Sequence, residues 1–214
     1  MVIGVIIAIV SLIVLGCIFL SNLIENGKDE LAKLDVKVNQ MLSDEGVTND
    51  VYWTDGNILL GKTAISINEK ESNVIILHVP DTNKSISTVI PKLVKVKFED
   101  IIEVKINSNS TIITSTSRGS QVGGALVGGA LFGGVGAIIG GLSGSTKSTE
   151  SIKQLALEII VDSIANPIIT IPFYKSEISE LKPNTPKYEK ITKEINEWYG
   201  KFTVILHRQD KIVG

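Results

Sequence analysis

The chain has 214 residues, 21 basic and 23 acidic side chains and a net charge of −2. That balance excludes the basic field nucleic-acid binding needs, so no nucleic-acid partner is expected. A single cysteine, Cys17, excludes an intrachain disulfide and suits a reducing compartment.

From Met1 to Ile24 no side chain is charged, and Val2–Leu20 is almost wholly apolar. As a helix that run covers roughly 28 Å, close to a hydrocarbon core of about 30 Å. The expectation is a transmembrane anchor over 1–24, placing the chain in the cell membrane as a single-pass protein. A cleaved signal peptide would need a basic start, a shorter apolar stretch and a small-residue cleavage site. Val14-Leu15-Gly16-Cys17 is close to a lipoprotein signal, but Leu15 is bulky for its place and the run continues past Cys17. Lys28, Lys33 and Lys37 follow the run and nothing basic precedes it, which puts the remaining chain in the cytoplasm.

Residues 25–46 read as a membrane-proximal helix and linker. Ile24, Leu31, Leu34, Val38 and Met41 fall on an a/d-like seam that fits either the chain's own domain or a parallel copy. Asp44-Glu45-Gly46 is expected to end that helix.

From Val51 to Ser115 the pattern changes to period two. Strands are expected at Thr63–Asn68, Asn73–Val79, Leu93–Phe98, Glu103–Ile106 and Thr111–Thr114, with turn residues between them. Gly56–Thr63 fits the P-loop spacing, with Lys62 and Thr63 in the conserved places of that motif. Its loop is bulky at Ile58–Leu60 and a strand follows where a helix is required, so nucleotide binding is not expected.

Val122–Leu142 is an uncharged block whose small residues recur four apart, as at Gly124/Gly128, Gly129/Gly133 and Gly136/Gly140. Glycine costs about 1 kcal/mol against Ala in an aqueous helix, whereas in lipid small-xxx-small rows let helices approach closely. The block reads as a glycine zipper, with Gly124, Gly128, Gly129, Gly133, Gly136 and Gly140 as its membrane or assembly residues. A single crossing would split the strands on either side of it, so a helical hairpin is expected, flanked by Arg118 and Lys147.

Strands resume at Gln154–Val161 and Ile168–Phe173. Thr185 and Pro186 then read as the cap and first residue of a helix with an apolar stripe through Tyr188, Ile191, Ile195, Trp198, Phe202 and Ile205. Gly200 is expected to weaken its middle, leaving Phe202–Leu206 as a frayed turn or strand, with 207–214 as a tail.

About seven short strands closed by an amphipathic helix resemble the pleckstrin-homology (PH)-like fold. Val96–Lys105 (VKFEDIIEVK) is similar to the strand–turn–strand of bacterial membrane-associated members. The resemblance implies a mainly β domain over 51–206, an antiparallel barrel or sandwich interrupted by the 118–150 insert. It brings no catalytic residue with it.

His78 and His207 are the only histidines, and no metal spacing or Ser/His/Asp set can be assembled. Glu99 and Asp100 fit a solvated turn, and Trp53 and Trp198 fit core or interface anchors. No enzyme activity and no cofactor or metal is expected. The expected function is a membrane-tethered binding or scaffold module that assembles through its glycine-rich segment, with an immunity or stress role. Its partners would be the lipid bilayer, further copies of itself, and a protein or lipid headgroup. The alternative is a membrane-perturbing effector whose hairpins oligomerise into a pore. Nineteen Lys against two Arg, with abundant Ile and Asn, point to an AT-rich bacterial or phage genome.

Overall fold

A computed structural model describes residues 2–47, 51–54, 61–80, 86–119, 152–176, 179–182 and 185–213. The order is α1 (Val2–Asp44), β1 (Tyr52–Trp53), β2 (Lys62–Asn68), β3 (Asn73–Val79), β4 (Lys92–Lys97), β5 (Ile101–Ser108), β6 (Thr111–Ser117), β7 (Gln154–Val161), β8 (Ile168–Lys175) and α2 (Pro186–Val213). Short 3-10 turns lie at Ile86–Thr88 and Phe98–Asp100.

The strands form two antiparallel four-stranded sheets, ordered β1-β2-β3-β4 and β6-β5-β7-β8. Between them Ile65, Val74 and Ile76 of the first sheet meet Val104, Ile106, Leu155, Leu157 and Ile159 of the second. α2 completes this core with Ile191, Ile195, Trp198 and Phe202. The mainly β fold with a C-terminal helix is therefore as expected. The second sheet departs from a simple meander, because β7 pairs on the far side of β5 from β6.

The first sheet is covered on its outer face as well. Leu34, Val38 and Leu42, one helical turn apart on α1, bury against Ala64, Ile75, Leu77 and Val79. This explains the apolar run Val74–Leu77 of β3: Val74 and Ile76 face the central core, while Ile75, Leu77 and, beyond the exposed His78, Val79 face α1. Leu34 and Val38 of the a/d-like seam, with Met41 beside them, are thus used within the chain. α1 ends in a Schellman cap, with Gly46 at φ +72°, Gly46 N–H donating to Ser43 O and Val47 N–H to Leu42 O, both at 2.9 Å.

The expected transmembrane anchor needs correction. Among the described residues no helix is long and apolar enough to cross a membrane. The apolar run is not a separate element either. It is the first part of one 43-residue helix that continues through Glu25, Asp29 and Glu30 to its docking site on the sheet. The expected glycine-rich hairpin lies outside the described residues.

α2 also runs further than expected. Thr185 Oγ1 accepts from Tyr188 N–H at 3.3 Å, capping the helix where Pro186 begins it. The helix passes through Gly200 without a break to Val213, because Tyr199, Phe202, Ile205 and Leu206 are buried on either side of it. Their burial outweighs a glycine penalty of about 1 kcal/mol.

Candidate functional site

The strands on either side of the glycine-rich insert frame it, and β5 is the reference for both ends. β6 and β7 each run antiparallel to β5, so they are parallel to one another with β5 between them. The chain leaves β6 where Ser117 faces Glu103 and enters β7 where Leu155 faces Ser108. Those levels are roughly 17 Å apart along β5 at about 3.4 Å per residue, and β6 and β7 lie about 10 Å apart across it. The strand before the insert therefore ends, and the strand after it begins, at opposite ends of β5.

Each end is held by side chains. At the exit, Arg118 N–H donates to Ile102 O at 2.8 Å. Its Nη2 lies 3.3, 2.6 and 2.8 Å from the carbonyl oxygens of Phe98, Glu99 and Ile101. The tight turn at Phe98–Asp100 brings those carbonyls together, and the two hydrogens of Nη2 are shared among them, with Phe98 O also accepting the Ile101 N–H. Arg118 Nε is buried there and has no partner among the described residues. The next residue, Gly119, adopts φ +74°, which favours glycine, and its N–H lies 3.1 Å from each carboxylate oxygen of Asp210 on α2.

At the re-entry, Asn109 and Ser110 form the two-residue β5–β6 turn with φ of 48° and 66°. This is the primed geometry that hairpin twist prefers and that asparagine tolerates. Asn109 N–H donates to Gln154 O at 3.0 Å. Its Oδ1 accepts from Lys153 N–H at 2.9 Å and Gln154 N–H at 3.1 Å. Ile152 adds a two-way backbone bridge to Leu181. The hairpin tip therefore fixes the residues that return from the insert.

The six glycines expected to carry assembly, Gly124, Gly128, Gly129, Gly133, Gly136 and Gly140, lie outside the described residues. Lys147 does too. The sequence marked Arg118 only as a positive flank, and its structural role is to lock the exit. Asn109 belonged to a recognised turn, but its bonds to residues 153 and 154 have no local signature. Asp210 fell in the expected tail and carried no signal at all.

The residues tested for chemistry take structural places. Lys62 opens β2, and its ammonium sits 4.2 Å from the centre of the Trp53 ring. His78 pairs across the strands with Thr63, Nδ1 to Oγ1 at 3.1 Å, in a cleft of about 560 Å³ beside Asp100 and Asp162. A second cleft of about 770 Å³ runs between the β2–β3 turn and α2, with Trp198, Lys201 and Arg208 in its wall. Glu99 is exposed and pairs with Lys97 at 3.1 Å; that hydrogen bond and charge raise the Lys97 pKa above its usual value. Burial raises that of Tyr188. Among the described residues no three of His, Cys, Asp and Glu gather into a metal site.

Residues 52–175, from β1 to the end of β8, match the family described as "Glycine zipper containing PH domain". The chain belongs to that family. The PH-like domain and its glycine zipper, expected from the strand pattern and the block at 122–142, are thereby borne out. A protein of Bacillus phage SPbeta named "Immunity protein" is 31% identical over 158 residues, covering 71% of this chain and 73% of its own. An SPbeta prophage-derived uncharacterized membrane protein of Bacillus subtilis strain 168 is 31% identical over 158 residues, covering 71% of this chain and 65% of its own. This chain thus spans just under two thirds of the second relative. No solved structure matches the chain.

Proposed function

We propose that this glycine-zipper PH protein is a membrane-associated, non-catalytic scaffold with an immunity role, whose domain holds the glycine-rich segment for assembly with further copies. The family and the relative named an immunity protein point to a non-enzymatic protein with a scaffold or immunity role. The observation that carries the assembly reading is the two-ended hold on the insert. Arg118, Gly119 and Asp210 fix one end and Asn109 fixes the other, so the segment starts and finishes on a rigid sheet. Rigid elements lower the ordering cost of association. Small residues four apart supply a surface on which helices can pack closely.

Association with lipid is supported by the uncharged composition of 122–142 and by the relative named a membrane protein. The β-domain would supply the contact to a protein or a lipid headgroup. Two measurements test this function. The intact chain should float with liposomes and sediment in mild detergent as an oligomer. The Gly128→Leu/Gly133→Leu variant should sediment as a monomer with unchanged circular dichroism of the β-domain. An unchanged oligomer in that variant would remove the glycine segment from the account, and failure to float would remove the lipid.

A further inference from the structure

Lys201, Val204 and Arg208 follow one another at three- and four-residue steps on α2, so they share one face of the helix. All three are exposed, Val204 at 36%. That face forms one wall of the cleft of about 770 Å³, with the β2–β3 turn as the other wall and Phe98 and Trp198 adding apolar surface. Asp210, which holds Gly119, lies two residues beyond Arg208 and therefore about 200° round α2. The cleft thus opens on the opposite face of α2 from the clamp on the insert.

The charge in this cleft is uneven. Lys70, Lys201 and Arg208 line it against a single carboxylate, Glu69, in a chain whose net charge is −2. On the preceding turns of α2, Lys190 and Lys193 have Glu194 and Glu197 beside them at 4.0 and 3.9 Å. Lys201 instead lies over the Trp198 ring, 4.3 Å from its centre, and among the described residues neither Lys201 nor Lys70 meets a carboxylate. Arg208 Nη1 reaches Glu69 Oε2 at 3.5 Å, but both side chains are more than half exposed, so the pair is weak and exchangeable. A concave wall of one sign focuses its field on a ligand of the other.

We propose that this cleft docks an acidic segment of a partner protein, with carboxylates on Lys201 and Arg208 and an apolar side chain against Val204. This rests on the reading of the β-domain as the part that contacts a partner, and it names the site. Spacing favours a peptide over a single phosphate. Lys201 and Arg208 are seven residues apart, about 10 Å along α2. The Lys201 ammonium is drawn back over Trp198 and the Arg208 guanidinium is drawn to the β2–β3 turn, so the two charges are held apart. Val204 lies between them, where a peptide side chain covers it and a phosphate does not.

The test is fluorescence anisotropy of labelled peptides with the full chain in non-ionic detergent. The acidic probe repeats Glu-Glu-Leu, a second probe repeats Glu-Glu-Ser, and a third repeats Lys-Lys-Leu. The acidic probe should bind saturably, and Lys201→Glu/Arg208→Glu should weaken it about tenfold while strengthening the Lys-Lys-Leu probe. Lys190→Glu/Lys193→Glu, outside the cleft on the same helix, should leave its affinity unchanged. The Glu-Glu-Ser probe should bind several-fold more weakly than the acidic one. Equal weakening by the two double variants would show attraction to overall charge and overturn the proposal, as would an acidic probe that does not bind. Vesicles of phosphatidylglycerol form a further arm: flotation lost in the cleft variant, with the acidic probe bound as by the parent, would give the cleft to lipid instead. Sedimentation of the same samples reports assembly, so failure of the cleft and failure of the scaffold reading are told apart.

Discussion

Gly119 and Asp210, 91 residues apart, meet where the chain leaves β6, with the Gly119 nitrogen 3.1 Å from both carboxylate oxygens. The contact ties the last turns of α2 to the first residue beyond the Arg118 lock. Asp210→Ala should leave the fold intact and free the Gly119 amide. The bond is exposed, so the global stability loss should stay near 0.5–1 kcal/mol. Amide hydrogen exchange at Gly119 should rise well before exchange in β5, and equal acceleration at both would argue against a local clamp.

Arg118→Met removes the donor shared by three carbonyls and should lower stability by about 2–3 kcal/mol in urea unfolding. Arg118→Lys keeps a cation and should recover part of that loss, since the three bonds all come from one nitrogen. A methionine variant as stable as the parent would show that water satisfies those carbonyls equally well.

Asn109 combines a left-handed backbone with two accepted bonds, and substitutions can separate the two. Asn109→Gly keeps φ at 48° accessible and loses only the side chain, for about 1 kcal/mol. Asn109→Ala loses the bonds and strains the backbone as well, for about 2–3 kcal/mol. Thermal unfolding should rank the parent above Gly and Gly above Ala. The reverse order of the two variants would mean that the turn is not under backbone constraint.

Val38, on the sheet-facing side of α1, is 1% exposed, and a charge there cannot be paired. Val38→Asp should lift α1 from the first sheet and leave the central core, which α1 does not share, in place. Trp53 packs at that contact, so its fluorescence should shift red in a Trp198→Phe background. Cleavage between 25 and 44 should appear in limited proteolysis. Unfolding of the whole domain would show that the two cores are not separable.

Much of the domain is legible from local pattern. Asn73–Val79 and Gln154–Val161 are strands with the bounds their residues suggest, and Thr185 caps α2 as expected. The seam at Leu34 and Val38 reads correctly as an apolar face, with the sheet as its partner. What stays hidden depends on distant atoms. Arg118 answers carbonyls 17 to 20 residues away, and Asp210 answers an amide 91 residues away. Neither bond has a periodicity. Gly200 misleads for a related reason: its local cost is visible, but the tertiary burial that offsets it is not. The apolar start of α1 misleads as an isolated run, because the helix carrying it continues unbroken into charged sequence and docks on the sheet.

In the proposed function the glycine-rich segment, held by the domain, joins the copies. Sedimentation velocity of the chain with residues 122–142 replaced by a Gly-Ser linker of equal length tests it most directly. The replaced chain should run as a folded monomer at micromolar concentration beside an oligomeric parent. An oligomer of unchanged size would contradict it.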